Sequence, residues 1–296
     1  MDRIDAHVHL WDSERFTYPW FQSGAFAALP ARYLPEDLTR DSHQTIAQAV
    51  VVQAEMDHAA DPLLETAWVQ QLSEEPGSGA VIGGFVAYAD LASEGVEAVL
   101  ERHRAHPISR GIRQELWWQT PSPRADILSR DLIADPAWQR SFSLLQPLDL
   151  SFDLTCWHWQ LEPFARVLQH CPETTLIVDH LGSPTPEQGE AFTVWRRGLR
   201  ALASCPNTFI KLSGFSQVLN PWGATDIAPF VNEVLEAFGP SRCMFGSNMP
   251  LEGLSTSYGD VLRAVAELTS QLSETEQQDV FSGTARRAYR LEPQRE

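Results

Sequence analysis

The sequence predicts an α/β protein folded as a single closed (β/α)8 barrel, and three observations predict it. Short apolar runs rich in β-branched residues alternate with stretches of helical periodicity, and strand starts lie roughly 25 to 45 residues apart, as βα units require. Runs such as Ala49-Val50-Val51-Val52 and Leu176-Ile177-Val178 are apolar without alternation, the pattern of strands buried on both faces. The reactive side chains gather at the C-terminal ends of these runs, where a barrel builds its site.

Strands are expected over 3–9, 49–55, 81–88, 111–115, 151–157, 175–181, 208–213 and 243–248. Helices are expected over 63–72, 93–103, 161–170, 192–204 and 227–238. The first helix follows Asp61-Pro62, which supplies a cap and a first-turn proline. No composition shift, repeat or low-complexity tract marks a boundary, so residues 1–296 read as one domain with a short tail from about Leu291. A doubly wound open sheet would need a glycine-rich loop after a strand, opening a helix. Gly77-Ser78-Gly79 instead precedes its strand and Gly83-Gly84 lies inside it, so neither can cradle a phosphate on a helix N-terminus.

Charge and composition narrow the partners. The 22 Lys+Arg against 39 Asp+Glu leave a formal net charge of −17, which repels phosphate backbones and anionic lipids. No nucleic-acid partner is expected. No apolar stretch approaches the about 18 residues of a membrane span, and the first residues lack the basic-then-apolar order of a secretory signal. Cys156, Cys171, Cys205 and Cys243 form no CxxC pair, so they read as reduced thiols and the protein as cytoplasmic. A small-molecule substrate is expected, and exposed apolar loops would permit a homodimer.

The strand ends carry the candidate chemistry. Strand one ends in His7-Val8-His9, strand two in Gln53-Ala54-Glu55, strand four in Arg113-Gln114-Glu115, and strand five near His158. Strand six ends in Asp179-His180, strand seven in Lys211-Leu212-Ser213, and strand eight in Ser247-Asn248. Residues two apart share a face, so His7 and His9 should point the same way with Asp5 beneath them. By the same rule His180 should share a face with Val178, and Asp179 should turn away. Two such imidazoles can grip a metal or donate hydrogen bonds to one substrate oxygen. His158, between two tryptophans, reads equally as a packed residue. Arg113 reads as an ion-pair partner of Glu115 or Glu55, or as a binder of a carboxylate or hydroxyl-rich ligand. Lys211 reads as structural. Trp11, Trp20, Trp117, Trp118, Trp157, Trp159 and Trp222 fall in loops after strand ends, where aromatic faces suit a sugar or flat organic ring. The alternative is that they pack down long loops, above all the 10–40 connection.

Ile4-Asp5-Ala6-His7-Val8-His9-Leu10-Trp11-Asp12 resembles the first strand of the amidohydrolase superfamily. Tyr18-Pro19-Trp20, Gly111-Ile112-Arg113-Gln114, Ser151-Phe152-Asp153-Leu154, Val178-Asp179-His180-Leu181-Gly182, Lys211-Leu212-Ser213-Gly214 and Met244-Phe245-Gly246-Ser247-Asn248-Met249-Pro250 follow in order. Together they resemble the branch that contains sugar-acid lactonases and 2-pyrone-4,6-dicarboxylate lactonase. The resemblance implies a distorted TIM barrel and hydrolysis of a cyclic ester. It implies that His7 and His9 are the strand-one pair, and that His180 helps polarise the substrate carbonyl.

One departure matters. Asn248 stands where the family usually has an aspartate that activates water and, in metal-bearing relatives, ligates the metal. A carboxamide cannot accept a proton at neutral pH and is a poor first-row metal ligand. The strand-four lysine of binuclear relatives is also absent, so a two-metal centre is not expected. Three readings follow. The first is a lactonase without an obligatory metal, in which His7, His9 and Arg113 stabilise the oxyanion and His180 or Glu55 is the base. The second holds a single zinc on His7, His9 and His180. The third is a barrel that has lost catalysis and binds a small ligand. Substrate contacts are expected from Arg113, Glu55, His158, Trp11, Trp20, Trp117 and Trp157. A serine hydrolase is excluded by the lack of a GxSxG elbow.

Overall fold

The computed structural model describes residues 2–22, 24–75, 81–120, 128–187 and 189–292. The Gly77-Ser78-Gly79 cluster lies outside them. Eight strands form one parallel sheet in sequence order: β1 (Ile4–Val8), β2 (Gln48–Val52), β3 (Ile82–Tyr88), β4 (Ser109–Glu115), β5 (Ser151–Thr155), β6 (Leu176–Val178), β7 (Thr208–Leu212) and β8 (Cys243–Phe245). This is the expected (β/α)8 barrel. The seam between β8 and β1 has no continuous ladder. It is sealed just beyond β8, where Asn248 N donates to His7 O at 2.8 Å and His9 N donates to Met249 O at 2.8 Å. The residues that close the barrel are therefore the residues that carry its candidate chemistry.

The expected helices appear as Leu63–Glu74, Val96–Arg104, Leu161–Leu168, Glu190–Ala203 and Ala224–Phe238. Pro35–Asp41, Pro136–Phe142 and Tyr258–Leu268 add further turns around the sheet. Two cores result. The outer one packs helices on the sheet, as in the stack of Trp138, Phe142, Phe152 and Phe164. The inner one fills the barrel with Ile4, Ala6, Val50, Val52, Val86, Ile177 and Met244, joined by Ala285, Ala288, Tyr289 and Leu291. Helix Thr284–Ala288 and the residues after it thus close the end of the barrel where strands begin, and Gln48 Nε2 reaches Glu292 O at 3.1 Å. Leu291, where a tail is expected to start, is buried.

The 10–40 connection is ordered by aromatic packing. Trp11–Asp12 pairs antiparallel with Arg32–Tyr33, and the Trp11 indole N–H donates to Pro30 O at 2.8 Å. Among the described residues no helix is long and apolar enough to cross a membrane. The cysteines are all free.

Candidate active site

Several strands end in left-handed kinks rather than running straight on. Glu55, His180 and Asn248 have φ of 54°, 51° and 59°, a region that costs a non-glycine residue energy and tends to cluster at functional sites. The kinks break the two-residue alternation. β6 stops at Val178, and both Asp179 and His180 then turn into the barrel end. The expectation that Asp179 faces away is corrected: its Oδ1 lies 2.8 Å from Lys211 Nζ and 3.3 Å from His7 Nδ1. β1 has a similar irregularity, because its register with β2 slips between Asp5 and Val8. Asp5 consequently does not sit beneath the histidines. Its Oδ1 caps the seam, accepting from His7 N at 3.1 Å and Ser247 N at 2.9 Å.

His7, His9 and His180 do come together, and all are buried. The Nε2 atoms of His7 and His9 are 3.1 Å apart, and the His7 and His180 ring centres are 4.5 Å apart. His9 Nδ1 donates to Val52 O at 2.9 Å, which leaves a bare lone pair on its Nε2. Neutral His9 therefore accepts at Nε2 and cannot donate there to an oxyanion, a correction to the sequence reading. His180 Nδ1 lies 2.9 Å from Ser213 Oγ. Burial pushes the pKa of His9 down to about 3 and of His180 down to about 4, and holds His7 well below the usual imidazole range. All three are neutral at pH 7.

Under the histidines lies a buried ionic cluster that sequence reasoning missed. Lys211 Nζ is 2.6 Å from Asp153 Oδ2, 2.8 Å from Asp179 Oδ1 and 3.0 Å from His7 Nδ1. The Tyr289 hydroxyl donates to the same Asp153 oxygen at 2.6 Å, and Thr155 Oγ1 donates to Asp179 Oδ2 at 2.8 Å. The Asp179 carboxyl is held well below its usual range: burial opposes ionisation, but the Lys211 ammonium outweighs it. A signal did exist. Asp153 and Lys211 sit in strands that are apolar on both sides, where a charge survives only by meeting another.

Arg113 is buried and donates to Gln53 O at 2.7 Å, with Asp179 Oδ2 3.7 Å from its other terminal nitrogen. Asp179 thus pairs with Arg113, whose charge also acts on Glu55 as expected. Glu55 turns toward His58, 3.0 Å from its Nε2, and accepts from the Gln53 amide. Burial raises the Glu55 carboxyl pKa, but His58 and Arg113 prevail and hold it below the usual value. Among the aromatics, Trp117 and Trp157 form a half-buried edge-to-face pair 4.6 Å apart after β4 and β5, with Trp159 stacked 5.2 Å from Trp157. His158 is buried beside them with its ring 4.8 Å from Trp159. Trp11 is corrected as a ligand contact, since it is fully buried against Trp20, Phe21 and Tyr33 and its N–H is used. Trp20 likewise ties its loop down, donating to Ala54 O at 2.8 Å. Surface cavities of about 390 Å³ beside Leu64 and Arg102, and of about 210 Å³ beside Tyr33 and Met249, are not lined by His7, His9 or His180.

The strand-eight position has an unexpected partner. The Asn248 amide hydrogen-bonds the carboxylate of Glu252, while Asn248 Oδ1 is buried without a partner. Glu252 also accepts from Ser216 N and Oγ, each at 2.9 Å, and from Trp222 Nε1 at 2.8 Å. Burial raises its pKa. Asn248→Asp would set two buried carboxyls against each other, so one must stay protonated, with its folded pKa above its unfolded value. Stability is then lost as pH rises through that raised pKa. The variant should lose more melting temperature relative to the parent at about pH 8 than at about pH 5.5. An equal difference at both would show that this contact has no electrostatic weight.

His7 and His9 are spaced to share a metal ion. Two nitrogens about 2.0–2.1 Å from a tetrahedral zinc lie about 3.3 Å from each other, close to the observed His7–His9 spacing. His9 also makes the backbone contact typical of a metal ligand. His7, Asp179 and His180 form a second donor set, with ligand atoms within 4.8 Å of one another.

Comparison with known proteins agrees with this geometry. A family model described as Amidohydrolase matches residues 4–291. An uncharacterized protein of Sinorhizobium fredii is 31% identical over 296 residues, covering 97% of this chain and 98% of that one. An L-fucono-1,5-lactonase of Burkholderia multivorans is 30% identical over 301 residues, covering 98% and 96%. The crystal structure of an amidohydrolase from Burkholderia multivorans with bound zinc superposes with a TM-score of 0.83 at 28% identity, covering 99% of this chain and all of that one. With the family match spanning every strand of the barrel, the chain belongs to the amidohydrolase family.

Proposed function

We propose that the chain hydrolyses the ester of a sugar-acid lactone without a binuclear metal centre. The observation that carries this reading is the convergence of neutral His7, His9 and His180 at the C-terminal end of the barrel, with an ammonium against His7 Nδ1. In this reading the Arg113 guanidinium, and His7 once substrate draws its Nε2–H away from His9, stabilise charge on the carbonyl oxygen, worth about 3–4 kcal/mol for a well-aimed donor. His180, kept neutral by burial, takes a proton from water as the water attacks, then returns it to the ring oxygen as the C–O bond breaks. The product is a hydroxy acid. Half-buried Trp117 and Trp157 offer the apolar face that a sugar ring stacks on. The L-fucono-1,5-lactonase relative supports a sugar-acid substrate. A single divalent ion, when bound, would be held by His7, His9 and His180 and would supply Lewis-acid polarisation of the carbonyl.

A pH-indicator assay over sugar-acid and dicarboxylate lactones, run with and without chelator, tests this. Acid release from at least one sugar-acid lactone, surviving chelation, is the expected result. Activity lost on chelation and restored by zinc would replace it with the zinc reading, which the bound zinc in the Burkholderia structure favours. Failure on every lactone would overturn it.

A further inference from the structure

We propose that Lys211 is a positioning residue that fixes His7 as its Nε2–H tautomer, and that Tyr289 holds Lys211 in this role through Asp153. An ammonium has three protons and accepts nothing. Lys211 hydrogen-bonds Asp153 Oδ2 and His7 Nδ1 and makes an ion pair with Asp179 Oδ1, all within 3.0 Å. With the ammonium donating to His7 Nδ1, that nitrogen must carry its lone pair and the ring proton must sit on Nε2. His9 agrees from the other side, because its bare Nε2 accepts at 3.1 Å. The bonds then run in one consistent sense. Tyr289 and Lys211 both donate to Asp153, Lys211 donates to His7, and His7 donates to His9.

The alternative tautomer has a weaker partner. An Nδ1–H on His7 would reach Asp179 Oδ1 at 3.3 Å, but only if the closer ammonium moved away. A metal-ligating histidine normally gives its outer N–H to a carboxylate or carbonyl, whereas at His7 Nδ1 the Lys211 ammonium lies nearer than the Asp179 carboxylate. The arrangement is also costly. Lys211, Asp153, Asp179 and Tyr289 are all fully buried, or nearly so, where apolar side chains of similar volume would hold the fold as well or better. Tyr289 contributes twice, since its ring lies 5.5 Å from Lys211 Nζ and its hydroxyl fixes the Asp153 oxygen that Lys211 uses. The kinetic consequence rests on the reading of His7 as the oxyanion donor, whereas the tautomer itself does not.

Long-range proton–nitrogen correlation on histidine-labelled protein reads the tautomer directly. In the parent, His7 should show a protonated Nε2 and an unprotonated Nδ1. Lys211→Met should shift it toward Nδ1–H. Because that variant can fail to fold, Tyr289→Phe is the second arm. It keeps the ring, and should lower lactone kcat by about 10- to 100-fold with KM within about twofold, together with a mixed tautomer signal. A parent His7 protonated at Nδ1 overturns the proposal, as does a Tyr289→Phe variant with unchanged tautomer and kcat. A parent that shows Nε2–H but opens no lactone supports the proposal and sinks the lactonase reading instead.

Discussion

His180→Asn should lower kcat on a lactone substrate by about 10²–10⁴-fold while leaving KM within a few-fold, the signature of losing a proton acceptor used in the transition state. Asparagine is small enough for the space and can still meet Ser213, which His180 contacts at 2.9 Å, so the fold has little reason to change. Initial rates with the pH indicator and a thermal melt on the same sample separate the two effects. A well-folded variant within tenfold of the parent would remove His180 from the mechanism and leave Glu55 or His9 as the acceptor.

Gly214→Ala should strike the candidate site directly. An added Cβ would lie 2.5 Å from His180 Cγ and Nδ1, at a residue whose φ is +66°. The left-handed backbone and the overpacking together cost about 2–4 kcal/mol, which for a chain of this size lowers the melting temperature by about 3–6 °C. Activity should fall with it, because the imidazole must leave Ser213 to make room. Gly246 plays a similar part for His7, with an added Cβ 2.9 Å from His7 Cβ, but it carries no positive φ and should tolerate the change better. A Gly214→Ala protein with the parent's melt and kcat would show that the His180 ring is not seated as described.

These glycines also explain what was legible in advance. The barrel could be read because unbroken apolar runs and their spacing are properties of each strand alone. The histidines could be read because a barrel's chemistry gathers at strand ends, and His7, His9 and His180 all stood there. Directions failed where the chain kinks. Nothing local in Val178-Asp179-His180 announces that the strand stops early and that both polar residues turn inward. Lys211 reads as structural from sequence, and nothing singles out Asp153, since their importance lies in a meeting between strands far apart in sequence. Trp11 misled for a different reason: a tryptophan after a strand end looks the same whether it greets a ligand or packs a loop, and burial decides for the second.

The inner filling supplied by Ala285, Ala288, Tyr289 and Leu291 has a consequence for biosynthesis. Every strand of the barrel precedes these residues in sequence, so a ribosome makes the whole sheet before it adds the apolar plug at its base. Asp153 therefore gains its phenol hydrogen bond only after the last strand has been made.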